Sequence, residues 1–100
     1  MKKITAEELK ALIDKEDILV IDLRNDEDYA LGHIPTALNM PLNAVAHEVE
    51  ERTEDKDSKI CLYCYSGNRS SKAGIMLEFL EYTNVYNLGG IDNWTFQLEK

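Results

Sequence analysis

Lys59-Ile60-Cys61-Leu62-Tyr63-Cys64-Tyr65-Ser66-Gly67-Asn68-Arg69-Ser70 is an apolar run that breaks into a tight polar loop. Lys59 to Cys64 has the composition of a strand covered on both faces, since it does not alternate with polar residues. Tyr65 to Arg69 holds Ser, Gly and Asn, the residues of a tight turn. Ser70 then opens a helix with Ala73, Ile75, Met76, Leu77 and Leu80 on its apolar side. A buried strand, a short loop and a helix make one half of a parallel crossover unit, so the rest of the chain is read for its partners.

Outward from that core the same alternation continues in both directions. Thr5 with Glu8 forms a capping-box signature, and Leu9, Leu12 and Ile13 follow at helical spacing to about Lys15. Ile18 to Leu23 is a second buried-type strand, broken only by Asp22. Asp26 to Leu31 predicts a short helix closed by Gly32, and Ala37 to Met40 a short strand stopped by Pro41. Asn43 is placed to cap a helix through Val45, Val49 and Arg52, followed by a charged connection from Glu51 to Ser58. Val85 to Leu88 predicts a last strand, and Gly89-Gly90 leads into a last helix holding Trp94 as its anchor. Strands alternating with helices imply an α/β fold with parallel strands and right-handed crossovers. One hundred residues, 44% of them hydrophobic, suit one domain over residues 1–100 with a modest core.

The charge balance excludes some functions. Nineteen acidic against eleven basic residues give net −8, which argues against nucleic-acid binding through the phosphate backbone. No apolar run approaches the roughly 20 residues that span a bilayer, so no membrane partner is expected. The opening Met1-Lys-Lys-Ile-Thr-Ala-Glu-Glu lacks an apolar signal core, which reads as a cytoplasmic protein.

In open α/β sheets ligands sit beyond the carboxyl ends of the strands, and Cys64 occupies that place. Gly67 tolerates the backbone conformations needed to turn successive N–H groups inward, and the following helix adds roughly half a positive charge. A thiol there has its anion favoured and its pKa lowered. Between Ser58 and Leu77 stand Lys59, Arg69 and Lys72 and no carboxylate, so an anionic substrate is drawn to this end. The competing reading is a buried small residue in a plain strand–helix connection.

Other candidates divide less sharply. Cys61 invites a Cys-x-x-Cys redox or zinc reading. Three strand residues span about 10 Å, too far for a disulfide that wants Cα atoms within roughly 7 Å, so Cys61 reads as core. Zinc would need His33 and His47 at a spacing no finger uses, and no metal site is expected. His33, in Gly32-His-Ile-Pro35, reads as fixing a turn rather than as an acid–base group, and His47 as exposed. Asp22 either bears on the site or holds the next turn. Arg24 and Asp28 are spaced for an i,i+4 pair.

These residues resemble a single-domain rhodanese, a sulfurtransferase, over nearly the whole chain. Asp22-Leu-Arg24, Asp28-Tyr29, Gly32-His-Ile-Pro35 and Ala37-x-Asn39-x-Pro41 are similar to the family's N-terminal signature. Cys64 through Ser70 is similar to its active-site loop, and Val85-Tyr-Asn-Leu-x-Gly-Gly-Ile-x-x-Trp94 to its C-terminal signature. The resemblance implies a three-layer domain with a five-stranded parallel sheet and helices on both faces. It implies Cys64 as the sulfur-carrying nucleophile, with Tyr65, Ser66, Gly67, Asn68, Arg69 and Ser70 around the substrate. No organic cofactor is implied, because the cysteine is itself the carrier. The implied partners are a small anionic sulfur donor such as thiosulfate, a thiol acceptor and a persulfide-carrying protein, with the chain a monomer or weak dimer.

Cys64 through Arg69 is six residues long, the length found in members that handle sulfur. The related cell-cycle phosphatases have one residue more, so a phosphatase or arsenate reductase is the weaker enzyme reading. Two departures matter. Thr36 stands where the family often has glycine. Tyr65-Ser66 stands where members preferring thiosulfate often carry Arg or Lys, leaving a second oxyanion to backbone donors, Ser66 and Arg69. Arg69 either meets substrate or braces the loop. The rival from another class is a rhodanese-like binding or sulfur-relay module with little turnover.

Overall fold

The computed structural model describes residues 1–100. Its elements are β1 (Lys2–Lys3), α1 (Ala6–Asp14), β2 (Leu19–Asp22), α2 (Asp26–Leu31), β3 (Leu38–Asn39), α3 (Val45–Arg52), β4 (Lys59–Cys64), α4 (Asn68–Phe79) and β5 (Asn84–Gly90), with a 3₁₀ turn at Ile91–Asn93. The strands form one sheet in the order β1-β5-β4-β2-β3, and every pairing is parallel. β4 lies at the centre between β5 and β2, which accounts for its unbroken apolar composition.

Strand alternation sends side chains to two cores. Ile60, Leu62 and Cys64 join Ile21, Leu23 and Val85 beneath Val45 and Val49 of α3 and Ala73 and Leu77 of α4. Cys61 and Tyr63 face the other way, with Val20, Leu88, Trp94 and Ala6 and Leu9 of α1. Helices on both faces of a parallel sheet therefore follow from the sequence pattern. Each fully buried branched side chain contributes about 1.5–3 kcal/mol to that packing.

The start of α1 forms as expected: Thr5 Oγ1 accepts from Glu8 N–H at 3.1 Å, and Glu8 Oε1 accepts from Thr5 N–H at 2.9 Å. Several local expectations are corrected. α4 begins at Asn68, two residues before Ser70, because Gly67 in the left-handed region (φ 96°) already turns the chain into the helix. Ile75 is not on the buried side of α4 but is 64% exposed. α3 is preceded by Ala44 with no side-chain cap, so Asn43 does not cap it. The last helix is only the 3₁₀ turn, with Trp94 just beyond it, yet Trp94 is buried and donates through Nε1 to Gln97 O. The two lysines of β1 carry no strand pattern; pairing to β5 alone defines it.

Candidate active site

The register of β4 against β5 shifts between Leu62 and Tyr63, where Leu88 is an extra residue. This bulge sets Gly89 opposite Tyr63 and Gly90 opposite Cys64. A side chain on Gly90 would lie 2.7 Å from the carbonyl oxygen of Tyr65, and one on Gly67 3.5 Å from Gly89 Cα. The loop after Cys64 therefore rests directly on the glycine end of β5. The sequence shows Gly89-Gly90 plainly, but the bulge that aims the pair at the loop depends on pairing across the sheet.

Cys64 is the last residue of β4 and only 2% exposed. Its Sγ accepts from Gly67 N–H at 3.0 Å and lies 3.7 Å from Ser70 Oγ. Ser70 Oγ in turn donates to Gly67 O at 3.0 Å. Burial pushes the thiol pKa up, but the N–H and hydroxyl of Ser70 and the N–H groups of Gly67 and Ser66 outweigh it, so the pKa falls below the ordinary cysteine value. The N-terminus of α4 carries no side-chain cap and no acidic residue in its first turn, which leaves its positive end for the sulfur.

The rest of the loop divides. Ser66, Gly67 and Ser70 converge on Sγ, whereas Tyr65 stands 71% exposed and Asn68 opens α4 in solvent. Arg69 turns away: its Nη1 donates to Leu23 O at 3.1 Å and to Asn25 Oδ1 at 3.3 Å. These bonds tie the loop to the β2–α2 connection. Nothing local in the sequence marks Asn25 for this role.

Asp22 holds the neighbouring turn rather than the sulfur. Its carboxylate is fully buried and accepts from the Arg24 backbone N–H at 2.8 Å, from Arg24 Nη2 at 2.8 Å and from Tyr63 OH. The i,i+4 pair of Arg24 with Asp28 does not form, because this buried bidentate partner is two residues away. Burial pulls the Arg24 pKa down, yet bonding to Asp22 raises it overall, while burial and Asp22 both raise that of Tyr63. Arg24 Nη2 also donates to Gly32 O, and Asn39 Nδ2 to Arg24 O at 2.9 Å.

His33 is a structural residue. Its Nδ1 is 2.9 Å from Tyr29 O, its ring stacks on Tyr29 at 3.8 Å, and its backbone pairs with Glu99. His47 is exposed beside Glu51. Cys61 and Cys64 are free thiols on opposite faces of the sheet, as their odd spacing on one strand requires, so they do not form a pair.

Fold and site together define a parallel α/β domain that presents a cysteine thiol of lowered pKa to the N–H of Gly67 in the loop that follows it. The sequence profile of the family described as "Rhodanese-like domain" matches residues 5–97. The chain belongs to that family. A sulfurtransferase of Allochromatium vinosum is 38% identical over 96 residues, covering 94% of this chain and 88% of that protein. A tRNA uridine(34) hydroxylase of Erwinia tasmaniensis is 33% identical over 91 residues, covering 87% of this chain and 26% of the relative. The chain thus spans about a quarter of the length of such hydroxylases. Among solved structures, a rhodanese with anions from E. coli superposes with a TM-score of 0.78 at 31% identity, over 83% of this chain and 98% of that one. A rhodanese-related protein from Thermoplasma volcanium gives 0.80 at 27% identity, over 99% and 98%. No helix is long and apolar enough to cross a membrane.

Proposed function

We propose that the protein is a sulfurtransferase in which Cys64 carries a sulfane sulfur as a persulfide. The observation that carries this reading is the Cys64 Sγ receiving the Gly67 N–H at 3.0 Å at the mouth of a six-residue loop. The relative matched over 88% of its length is a sulfurtransferase, whereas the hydroxylases share only about a quarter of theirs. With thiosulfate, the Cys64 thiolate attacks the outer sulfur, the S–S bond of the donor breaks, and sulfite leaves with the electron pair. The outer sulfur anion of the persulfide then rests among the N–H groups of the loop, as an oxyanion does in its hole. Cyanide or a thiolate attacks that outer sulfur, releasing thiocyanate or a new persulfide and regenerating the Cys64 thiolate. No net oxidation occurs at the protein. We place Tyr65 through Ser70 around the transferred sulfur, with Arg69 as the brace of that loop.

The second reading, a sulfur relay fed by a persulfide-carrying protein, draws on one feature. Tyr65-Ser66 supplies no cation, and Arg69 is engaged by Leu23 and Asn25. A sulfonate group would meet only backbone donors and Ser66, which favours a donor lacking that group. Intact-mass analysis of the reduced protein after thiosulfate, and separately after a small alkyl persulfide, tests both readings. A gain of one sulfur that Cys64→Ser abolishes and Cys61→Ser preserves supports the carrier role. Loading by the alkyl persulfide alone selects the relay, and loading by neither overturns the proposal.

A further inference from the structure

α4 leaves the catalytic loop with one face unpaired. Asn68, Lys72, Ile75 and Phe79 are all exposed and follow at i, i+4, i+7 and i+11, which is one stripe of a helix. Ile75 is 64% and Phe79 87% exposed, with half-buried Met76 and Leu80 beside them. Single exposed apolar residues are ordinary. Two at helical spacing, on a stripe that starts where the loop holding Cys64 ends, form a continuous track of about 16 Å at 1.5 Å per residue.

Charge selects what fits the track. The protein is net −8, yet residues 58–77 contain no carboxylate. Lys72 makes no ion pair, and Arg69 is bonded only to neutral oxygens. Carboxylates return at the far end, with Glu78 and Glu81. Across the groove that Arg69, Lys72 and Met76 line, the opposite bank is Asp26 and Glu27. An acidic visitor is therefore repelled from α2 and confined to the outer face of α4.

We propose that this face of α4 docks the protein that exchanges sulfur with Cys64, through a segment acidic beside its cysteine and apolar about two helical turns beyond. The proposal rests on the sulfur-transfer reading of Cys64 and names the class of partner. The acidic residue meets Lys72 and the apolar residues cover Ile75 and Phe79, which brings the partner's persulfide to the loop mouth. Cys64 attacks the outer sulfur, the partner's S–S bond breaks, and its thiolate leaves. So small a patch gives weak, quickly released binding, as a shuttling step requires. A second copy of this chain is a poorer occupant, because two bodies of charge −8 repel.

The test uses two synthetic helical peptides, each with one cysteine persulfide and two leucines a turn apart. One carries aspartates beside the cysteine, the other lysines. Loading of Cys64 is followed by mass. The acidic peptide is expected to load about tenfold faster than the basic one, with the advantage shrinking in high salt. Ile75→Ser with Phe79→Ser is expected to slow the acidic peptide about tenfold, leaving the rate with a small alkyl persulfide and the thermal midpoint unchanged. Lys72→Glu is expected to reverse the peptide preference. Equal loading by both peptides, or equal slowing of the alkyl persulfide, overturns the docking surface. So does a dimer in sedimentation that Phe79→Ser separates. Failure of every donor to load the unaltered protein overturns the transfer reading, and the docking proposal with it.

Discussion

Cys61 and Cys64 lie three residues apart on β4, both buried, and the surroundings give them opposite acid strengths. Cys61 is mid-strand on the α1 side, where burial pushes its pKa up to about 12 and a backbone bond at Leu88 only partly offsets this. Cys64 is at the strand end on the α3–α4 side, where burial acts in the same direction but donors from Ser70, Gly67 and Ser66 reverse it. Cys61 is the more deeply enclosed of the two, yet burial acts to raise both pKa values. What separates them is whether the chain turns at that point and exposes N–H groups that no strand or helix has claimed.

The comparison can be broken by titrating stability. The unfolded chain ionises Cys61 near its ordinary value of 9.0, whereas the folded chain holds that proton to about 12. Below 9 both states bind it and the group is silent. From 9 to 12 the unfolded state binds fewer protons, so stability falls as pH rises, by about 4 kcal/mol at most. Cys64 works with the opposite sign. Its folded pKa lies below 9.0, so its contribution is present above that value and is lost as pH falls through the folded pKa. Denaturant unfolding of Cys61→Ala from pH 8 to 11 should show a flatter alkaline decline than the unaltered protein. Parallel declines would mean that the Cys61 proton is not held.

The second test attacks the cradle. Gly67 has φ 96°, a region that β-branched residues avoid, and it supplies the closest N–H to Sγ. Gly67→Val should cut sulfur transfer about a hundredfold, the scale of losing one preorganised donor, with a much smaller change in thermal midpoint. Unchanged turnover would show that the loop does not hold the sulfur as described.

How far the sequence spoke for itself follows the same division. β4 was legible because an unbroken apolar run has few other uses, and the Cys64 loop because Ser, Gly and Asn there suit only a turn. The alternation of elements, and hence the parallel sheet, was legible for the same reason. Ile75 reads as buried from its apolar identity alone, whereas the helix phase set by Ala73, Gly74 and Leu77 turns it outward. The roles of Leu88, Gly90 and Asn25 were not legible, since each exists only through a neighbour far away in sequence.

Ser70 sharpens the contrast at smaller amplitude. With the thiol protonated, Sγ donates toward Ser70 Oγ while that hydroxyl donates to Gly67 O. On ionisation the hydroxyl has to turn toward the sulfur, so its contribution is felt mainly by the thiolate. Ser70→Ala should therefore raise the Cys64 pKa and slow persulfide formation about fivefold at neutral pH, with the deficit closing as pH rises. A deficit constant across pH would assign Ser70 to packing alone.

Thr36 extends the comparison to a turn outside the site. Like Gly67 it lies in the left-handed region, at φ 72°, but it is a β-branched residue there. A non-glycine residue in that region costs roughly 1–2 kcal/mol, and part of the gain on replacement is lost to the greater freedom of unfolded glycine. Thr36 bonds Glu99 Oε1 through its backbone N–H, which glycine retains. Thr36→Gly should thus stabilise the fold by about 0.5–1 kcal/mol, a rise of a few degrees in Tm, and leave transfer unchanged. At Gly67 the same backbone region serves the sulfur, so a side chain costs activity. At Thr36 it serves only a turn, so removing the side chain changes stability alone. A Thr36→Gly variant of lower Tm, or with altered transfer, would remove that distinction.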